Sequence, residues 1–569
     1  MSKKTTPSRV KPELINAPQN TDFKVALWLG LVLFFFYLLT TSAHRPIGDE
    51  EEYVAVAASI LTNGTPAIIK AQPSSDGRVQ KTRTYYKFPL GHSLLLLPFV
   101  ALQVIAQEIF PFGFAFVSHF FLNSLFALES AALCALLFLL VRLLGNVHAN
   151  LKLSQSTTVA VALTTALATQ IWPASRTLFA DNSVAVFLTL AIYALLRFRY
   201  DDAGQGWAII ASCAAAMMIF CKNFMILAYP ALAVYGIWAA LEKKKQGKIS
   251  TDQTVRLAIM AAMPFAIIVV TQLWYNHLRY GSVWLSGYHE GRDGDFGFST
   301  PLLVGLYGIF LSSGRSFFLY SPMCLLAFLG ARDFFKYAKT ESALIAGASL
   351  PVVFAYAKWW SWHGGWEWGA RFYVFLIPLL MWISTPAWRW LDGIDISARA
   401  RKIRTMALTA LFLVSISVQV LGILIHPMAY WNMTASDLKV LEHPMYVKGT
   451  WEIRDDMPLA HFVPEFSPVA AHAWLVWATW NRHRLGEQSL AAAAPWISLN
   501  PNWAPTNVKY YLGYDVWFVG NWIDPWLEQK RSVAPLVVVA LSLVVMGLFS
   551  GINLGWHLRR SAPPPSRKV

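Results

Sequence analysis

The chain carries one dominant constraint: uninterrupted apolar runs, each about 18 to 25 residues long, recur along most of its length. An α-helix of that length crosses a hydrocarbon core of roughly 30 Å while satisfying its own backbone polar groups, so helices and not a barrel do the crossing. Charged residues make up only 14% of the 569, against 56% hydrophobic. Soluble domains carry about a quarter charged, so lipid is the solvent here. The fold class expected is an all-α polytopic membrane protein.

The net charge of +15 does not point to nucleic acid, because Lys and Arg sit in short clusters between the apolar runs and near both ends. Those clusters put 1–22, 197–205, 242–256, 331–339, 392–404 and 557–569 inside, with both termini cytoplasmic. Spans then fall at 24–42, 113–144, 156–173, 182–199, 207–222, 223–241, 255–275, 316–331, 341–358, 372–391, 405–426 and 533–555, about twelve by the length rule. The run 24–42 is read as a retained span, since no small-residue cleavage site follows it. Parity leaves 89–107 and 301–311 as helices lying at the outer surface, each starting at a proline. The four cysteines lie inside apolar runs and support neither a disulfide framework nor a thiolate metal site.

The division expected is a tail at 1–23, a membrane domain at 24–426 with its first outer loop at 43–112, a cap at 427–532, a last span at 533–555 and a tail at 556–569. Within the cap, 467–480 (SPVAAHAWLVWATW) reads as an interfacial helix with tryptophans at headgroup level.

Five outer segments carry polar groups. HRPIGDEEEY places Asp49, Glu50, Glu51 and Glu52 just after the first span, and at helical spacing at least one must face the protein body. As a bland alternative, acids favour the first turn of any helix. YYKFPLGHSLLLLP sets Lys87 ahead of a surface helix, where it reaches an anionic group or simply snorkels. WPASRTLFADN holds Arg176 and Asp181 in a tight turn, a binding motif or a structural ion pair. His289, Glu290, Arg292 and Arg315 accompany glycines that permit close backbone approach to a ligand. In KWWSWHGGWEWGARFY, Glu367 and Arg371 pair at i, i+4 if the segment is helical. An arginine entering an apolar run costs about 2.5 to 3.5 kcal/mol, so Arg371 needs a partner or a ligand. A base beside an anion clamp is the equipment for moving a group off a lipid phosphate.

The acidic GDEEEY, the KFPLG ahead of a surface helix, the SRTLFAD turn and GGWEWGAR before a late span resemble, in that order and spacing, the GT-C superfamily of membrane glycosyltransferases. The likeness is to the branch with the protein O-mannosyltransferases and lipid A aminoarabinose transferases, and it covers roughly the first 390 residues. It implies a GT-C-like bundle with outer juxtamembrane helices and a small periplasmic C-terminal region, in a bacterial inner membrane. It also implies inverting transfer of one sugar from a polyprenyl-phosphate-linked donor to a hydroxyl of a lipid, glycan or protein acceptor. Asp49 matches the base with Glu50 as its neighbour, and the choice between them stays open. Lys87 matches a residue near the donor phosphate, and Arg176 with Asp181 the second outer motif. By position, His289, Arg292, Arg315, Glu367 and Arg371 join the donor-binding set. A required metal or other cofactor is not expected, although some branches of the superfamily use a divalent metal and the run 49–52 has the oxygens to ligate one. The rivals are a GT-C oligosaccharide ligase, a transporter with its ionisable groups at the midplane, and a non-catalytic scaffold.

Overall fold

The computed structural model describes residues 20–42, 46–73, 79–109, 115–201, 204–287, 297–365, 367–393, 397–437, 457–516, 519–520 and 534–561. The first part runs through α1 (Asn20–Leu39), α2 (Asp49–Asn63), the strands β1 (Ile68–Pro73) and β2 (Val79–Thr84), and α3 (Leu90–Ile109). The strands pair antiparallel, with Ile68 opposite Thr84. Then come α4 (Ala115–Val147), α5 (Gln155–Leu167), the single turn α6 (Ile171–Ala174), α7 (Ala180–Tyr200), α8 (Gln205–Cys221), α9 (Tyr229–Lys245) and α10 (Thr251–Tyr280). The next group is α11 (Leu302–Leu311), α12 (Phe317–Tyr320), α13 (Leu326–Tyr337), α14 (Lys339–Lys358), α15 (Leu376–Ile383) and α16 (Ala398–Leu424). The last part holds α17 (Pro427–Asp437), α18 (Met457–Phe462), α19 (Pro468–Asn481), α20 (Glu487–Ala491) and α21 (Ala534–Ser561).

The chain is an all-α polytopic membrane protein. Among the described residues, nine helices are long and apolar enough to cross a membrane: α1, α3, α4, α7, α9 with the 3-10 turn before it, α10, α14, α16 and α21. Four expected spans are shorter or interrupted. The run 156–173 contributes a 13-residue α5 that ends ahead of Pro173, and α8 has 17 residues. The run 316–331 breaks at Pro322 into α12, a 3-10 turn and α13, and 372–391 breaks at Pro386 into α15 and a 3-10 stretch. Proline lacks the N–H that the ladder needs and biases the residue before it away from helix. Conversely α3, expected as a surface helix, has 20 residues and the hydropathy of a span.

α1 lies between α4 and α21, and α7 packs on α4, α8 and α9, with α10 outside α8. The core between them holds Tyr37, Phe126, Phe138, Tyr193 and Trp382 with almost no exposure. In contrast α10 exposes Ile259, Met263, Ile267 and Val270, the face that lipid would cover. Gly91 matters to the site: a Cβ there would meet the Phe220 backbone at 2.5 Å, so only glycine lets α3 begin against the end of α8.

The region after α16 builds its own small core from Tyr430, Trp431, Phe466, Trp474 and Trp496, with Phe466 stacked on Trp496 at 5.4 Å. The helix expected at 467–480 is α19, capped by Ser467, whose side chain accepts from the Ala470 N–H. Trp474 turns into this core and donates to the Leu490 carbonyl at 3.1 Å, while Trp477 and Trp480 are exposed.

Candidate functional site

A cavity of about 330 Å³ opens where α2 and α7 begin and α8 and α14 end; it is lined by Asp49, Lys87, Asp181, Lys222, Glu367 and Arg371, among others. Phe88, Phe179, Phe224, Tyr356, Trp359 and Phe372 give it aromatic walls. Segments spread over more than half the chain thus meet at one end of the bundle.

Asp49 is the first residue of α2, reached through Gly48 at φ 57. Arg371 donates from Nη2 to Asp49 Oδ2 at 3.1 Å, and its guanidinium lies 3.8 Å from the Phe179 ring centroid. The helical Glu367–Arg371 pair does not form, because Gly364, Gly365 and Gly369 all sit at positive φ and turn the segment. A Cβ on Gly364 would come within 2.9 Å of Arg371 Cγ, so the Gly-Gly pair wraps this side chain.

Lys87 precedes α3, and its loop is held by Arg279, whose Nη1 donates to the Tyr86, Lys87 and Phe88 carbonyls at 3.0, 2.9 and 3.0 Å. Gly287 packs against the same backbone, where a Cβ would stand 2.1 Å from the Lys87 carbonyl oxygen. Of the cations lining the cavity, Lys87 is the one without a carboxylate partner among the described residues. Lys222, just past the end of α8, donates to Asp181 and sits 4.1 Å from the Phe372 ring centroid.

The turn 172–182 does not pair Arg176 with Asp181. Arg176 points away from the cavity and binds Asp515 at 2.6 Å from Nη2, with the Asp515 and Ile423 carbonyls also accepting. Ser42 donates to the same carboxylate at 3.0 and 3.1 Å. Arg315 likewise lies outside the cavity. It is fully buried and spends its guanidinium on the carbonyls of Gly365, Glu367 and Gly369, which shapes the loop that carries Glu367. His289 and Arg292 lie outside the described residues.

Glu50 turns away from Asp49. Its Oε1 accepts from the Leu178 N–H at 2.6 Å and its Oε2 from the Ile47 N–H at 3.3 Å. It lines a smaller pocket with Ser42, Arg176, Glu367 and Asp515. Burial, and then the nearby Glu367 charge, push the Glu50 carboxyl up to about 8. Burial also raises Glu367, against the pull of Arg371 and Arg315. A carboxyl raised in the folded state contributes stability that is present below its unfolded range and lost as pH rises through its folded value. The melting temperature of the purified protein therefore falls as pH rises from about 4.5, the ordinary carboxyl value, to about 8, and Glu50→Gln, which keeps an accepting oxygen for Leu178, flattens that fall. Parallel profiles for the two proteins would contradict the assignment.

Lys222, Asp515 and Arg279 were not legible as site residues. Lys222 stands in an apolar stretch, a usable signal, whereas nothing local marks Asp515. Among the described residues no group of three or more His, Cys, Asp or Glu is arranged to hold a metal. Within the acidic run Glu51 is exposed while Asp49 is bonded to Arg371.

No family model and no curated protein matches the chain. Its structure is similar to the crystal structure of ArnT from Cupriavidus metallidurans bound to undecaprenyl phosphate, at 13% identity, covering 94% of this chain and 77% of that one, with a TM-score of 0.42.

Proposed function

We propose that this protein is an inverting glycosyltransferase that moves a single sugar from a polyprenyl-phosphate-linked donor to a hydroxyl of a lipid, glycan or protein. The carrying observation is the meeting of the Asp49 carboxylate, at the start of α2, with Lys87, Lys222 and Arg371 in an aromatic-walled cavity at the end of the bundle. By the distribution of loop charge this end faces the periplasm of a bacterial inner membrane, with both termini cytoplasmic.

The donor phosphate binds among Lys87, Lys222 and Arg371, with its tail between helices in the lipid. Asp49 accepts the proton of the acceptor hydroxyl while that oxygen forms a bond to the anomeric carbon. The bond from that carbon to the phosphate oxygen breaks on the opposite face, so the configuration inverts. The polyprenyl phosphate leaves with the electron pair, its charge met by the same cations. Glu50 is not the base, since both its oxygens already accept backbone N–H bonds.

A volume of about 330 Å³ lies at the low end of small-ligand pockets, roughly 300 to 1,000 Å³, which favours one sugar over an assembled glycan. The ionisable residues that line the cavity sit at helix ends, whereas a transporter's substrate site lies near the bilayer midplane.

The test is release of polyprenyl phosphate by the purified protein given a panel of lipid-linked single sugars and a membrane extract as acceptor. Release coupled to sugar transfer is expected; no release from any donor would overturn the reading. Lys87→Gln raises the donor KM by about tenfold, the worth of one charge-assisted contact of about 1.4 kcal/mol, and changes kcat less. An unchanged KM would remove Lys87 from the phosphate site.

A further inference from the structure

Behind the cavity lies a buried polar chain that the transfer step does not use. His92, in the first turn of α3, shows no exposure; its Nε2 is 3.0 Å from the Leu178 carbonyl and its Nδ1 3.1 Å from Ser183 Oγ. Ser183 Oγ is in turn 2.7 Å from Glu129 Oε1 on α4. The N–H of Leu178 holds Glu50 Oε1 at 2.6 Å. The His92 ring also meets Tyr53 edge-on at 4.7 Å, one turn along α2 from Asp49. His92 therefore touches the start of α2 twice, once through the backbone of Leu178 and once ring to ring.

Counting donors fixes the state of this chain. The Leu178 carbonyl only accepts, so Nε2 carries a hydrogen. Ser183 has one hydrogen for two partners, so either Glu129 or His92 Nδ1 must supply the second. The trio thus carries a shared proton and no net charge, which a buried carboxylate on an apolar helix otherwise lacks. Hydrogen bonds in series polarise one another, and the Leu178 carbonyl sits at the end of this series. Asn182 adds a second brace to the same turn, donating to Ser130 Oγ at 2.8 Å beside Glu129.

We propose that His92, backed by Ser183 and Glu129, is a positioning residue for the transfer: it fixes the Leu178 backbone and Tyr53, and through them the first turn of α2 that presents Asp49. This rests on the transferase reading for its kinetic consequence, though not for its structural one. A displaced carboxylate is a poor base but leaves the phosphate site intact. A misplacement of about 1 Å at the reacting group costs on the order of 100-fold.

His92→Leu is expected to lower kcat by about 100-fold with the donor KM within about twofold of wild type. His92→Gln, whose amide N–H still reaches the Leu178 carbonyl, recovers at least about tenfold of that loss, and Glu129→Gln exceeds Glu129→Leu in the same way. A KM rise equal to the kcat fall, an unchanged kcat, or Gln no better than Leu at either position would overturn the proposal. Hydrogen–deuterium exchange separates its failure from that of the transferase reading, because it needs no turnover. Amides in 177–179 and 47–53 exchange faster in His92→Leu than in wild type and are restored in His92→Gln; unchanged exchange would sink the positioning role even in an active enzyme. If His92→Leu does not purify folded, the comparison of His92→Gln and of the two Glu129 variants with wild type carries the same decision.

Discussion

Asp49→Asn lowers kcat for polyprenyl-phosphate release by about 1,000-fold, within the range that a positioned general base contributes. Asparagine keeps an oxygen for Arg371 Nη2, now 3.1 Å from the carboxylate, so the cavity keeps its shape and loses only its proton acceptor. The donor KM stays near wild type, because Lys87, Lys222 and Arg371 remain in the cavity wall. Kinetics on protein that melts like wild type make the measurement. Full turnover in the variant would move the base elsewhere and leave the anion site as the surviving half of the mechanism. Glu50→Gln serves as the contrast: its effect is on the pH dependence of stability, since its oxygens serve the backbone of Ile47 and Leu178.

The second large effect is structural. Asp515→Ala removes the carboxylate that pairs with Arg176 and accepts from Ser42, in a site where the Arg176 and Asp515 side chains are only 3% and 4% exposed. Breaking a buried ion pair from one side costs about 3 to 5 kcal/mol, more than replacing both partners with a matched apolar pair. The readout is the unfolding midpoint in detergent. Arg176→Met combined with Asp515→Leu is expected to recover most of the loss, which a simple packing defect at 515 would not allow. The single variant melting like wild type would mean that the pair contributes little.

The legible and illegible parts of this molecule divide along physical lines. Length and hydropathy marked α1, α4, α7, α10 and α16 because a membrane demands long apolar helices, and no tertiary contact is needed to see them. The same rule misjudged 316–331 and 372–391, where Pro322 and Pro386 interrupt the helix without breaking the apolar composition. Asp49, Lys87, Asp181, Glu367 and Arg371 stood out as charges beside apolar runs, and all five line one cavity. Their pairing did not stand out. Arg371 faces Asp49 across 322 residues rather than Glu367 across four, because the glycines between His363 and Arg371 set a turn where a helix was conceivable. Arg315 and Arg176 show the converse: a charge in an apolar setting is equally well used to hold backbone carbonyls, as both do.

The bond between Arg176 and Asp515 spans 339 positions of sequence. Chains grow at about 5 to 20 residues per second, so the turn that presents Phe179 and Asp181 waits roughly 20 to 70 seconds for its counter-charge to be made. Through that interval the nascent helices are already in the bilayer while the arginine has no acidic mate from this source. The turn that carries Arg176 therefore completes its contacts only late in synthesis, and a ribosome stalled before residue 515 leaves an inserted but unfinished bundle.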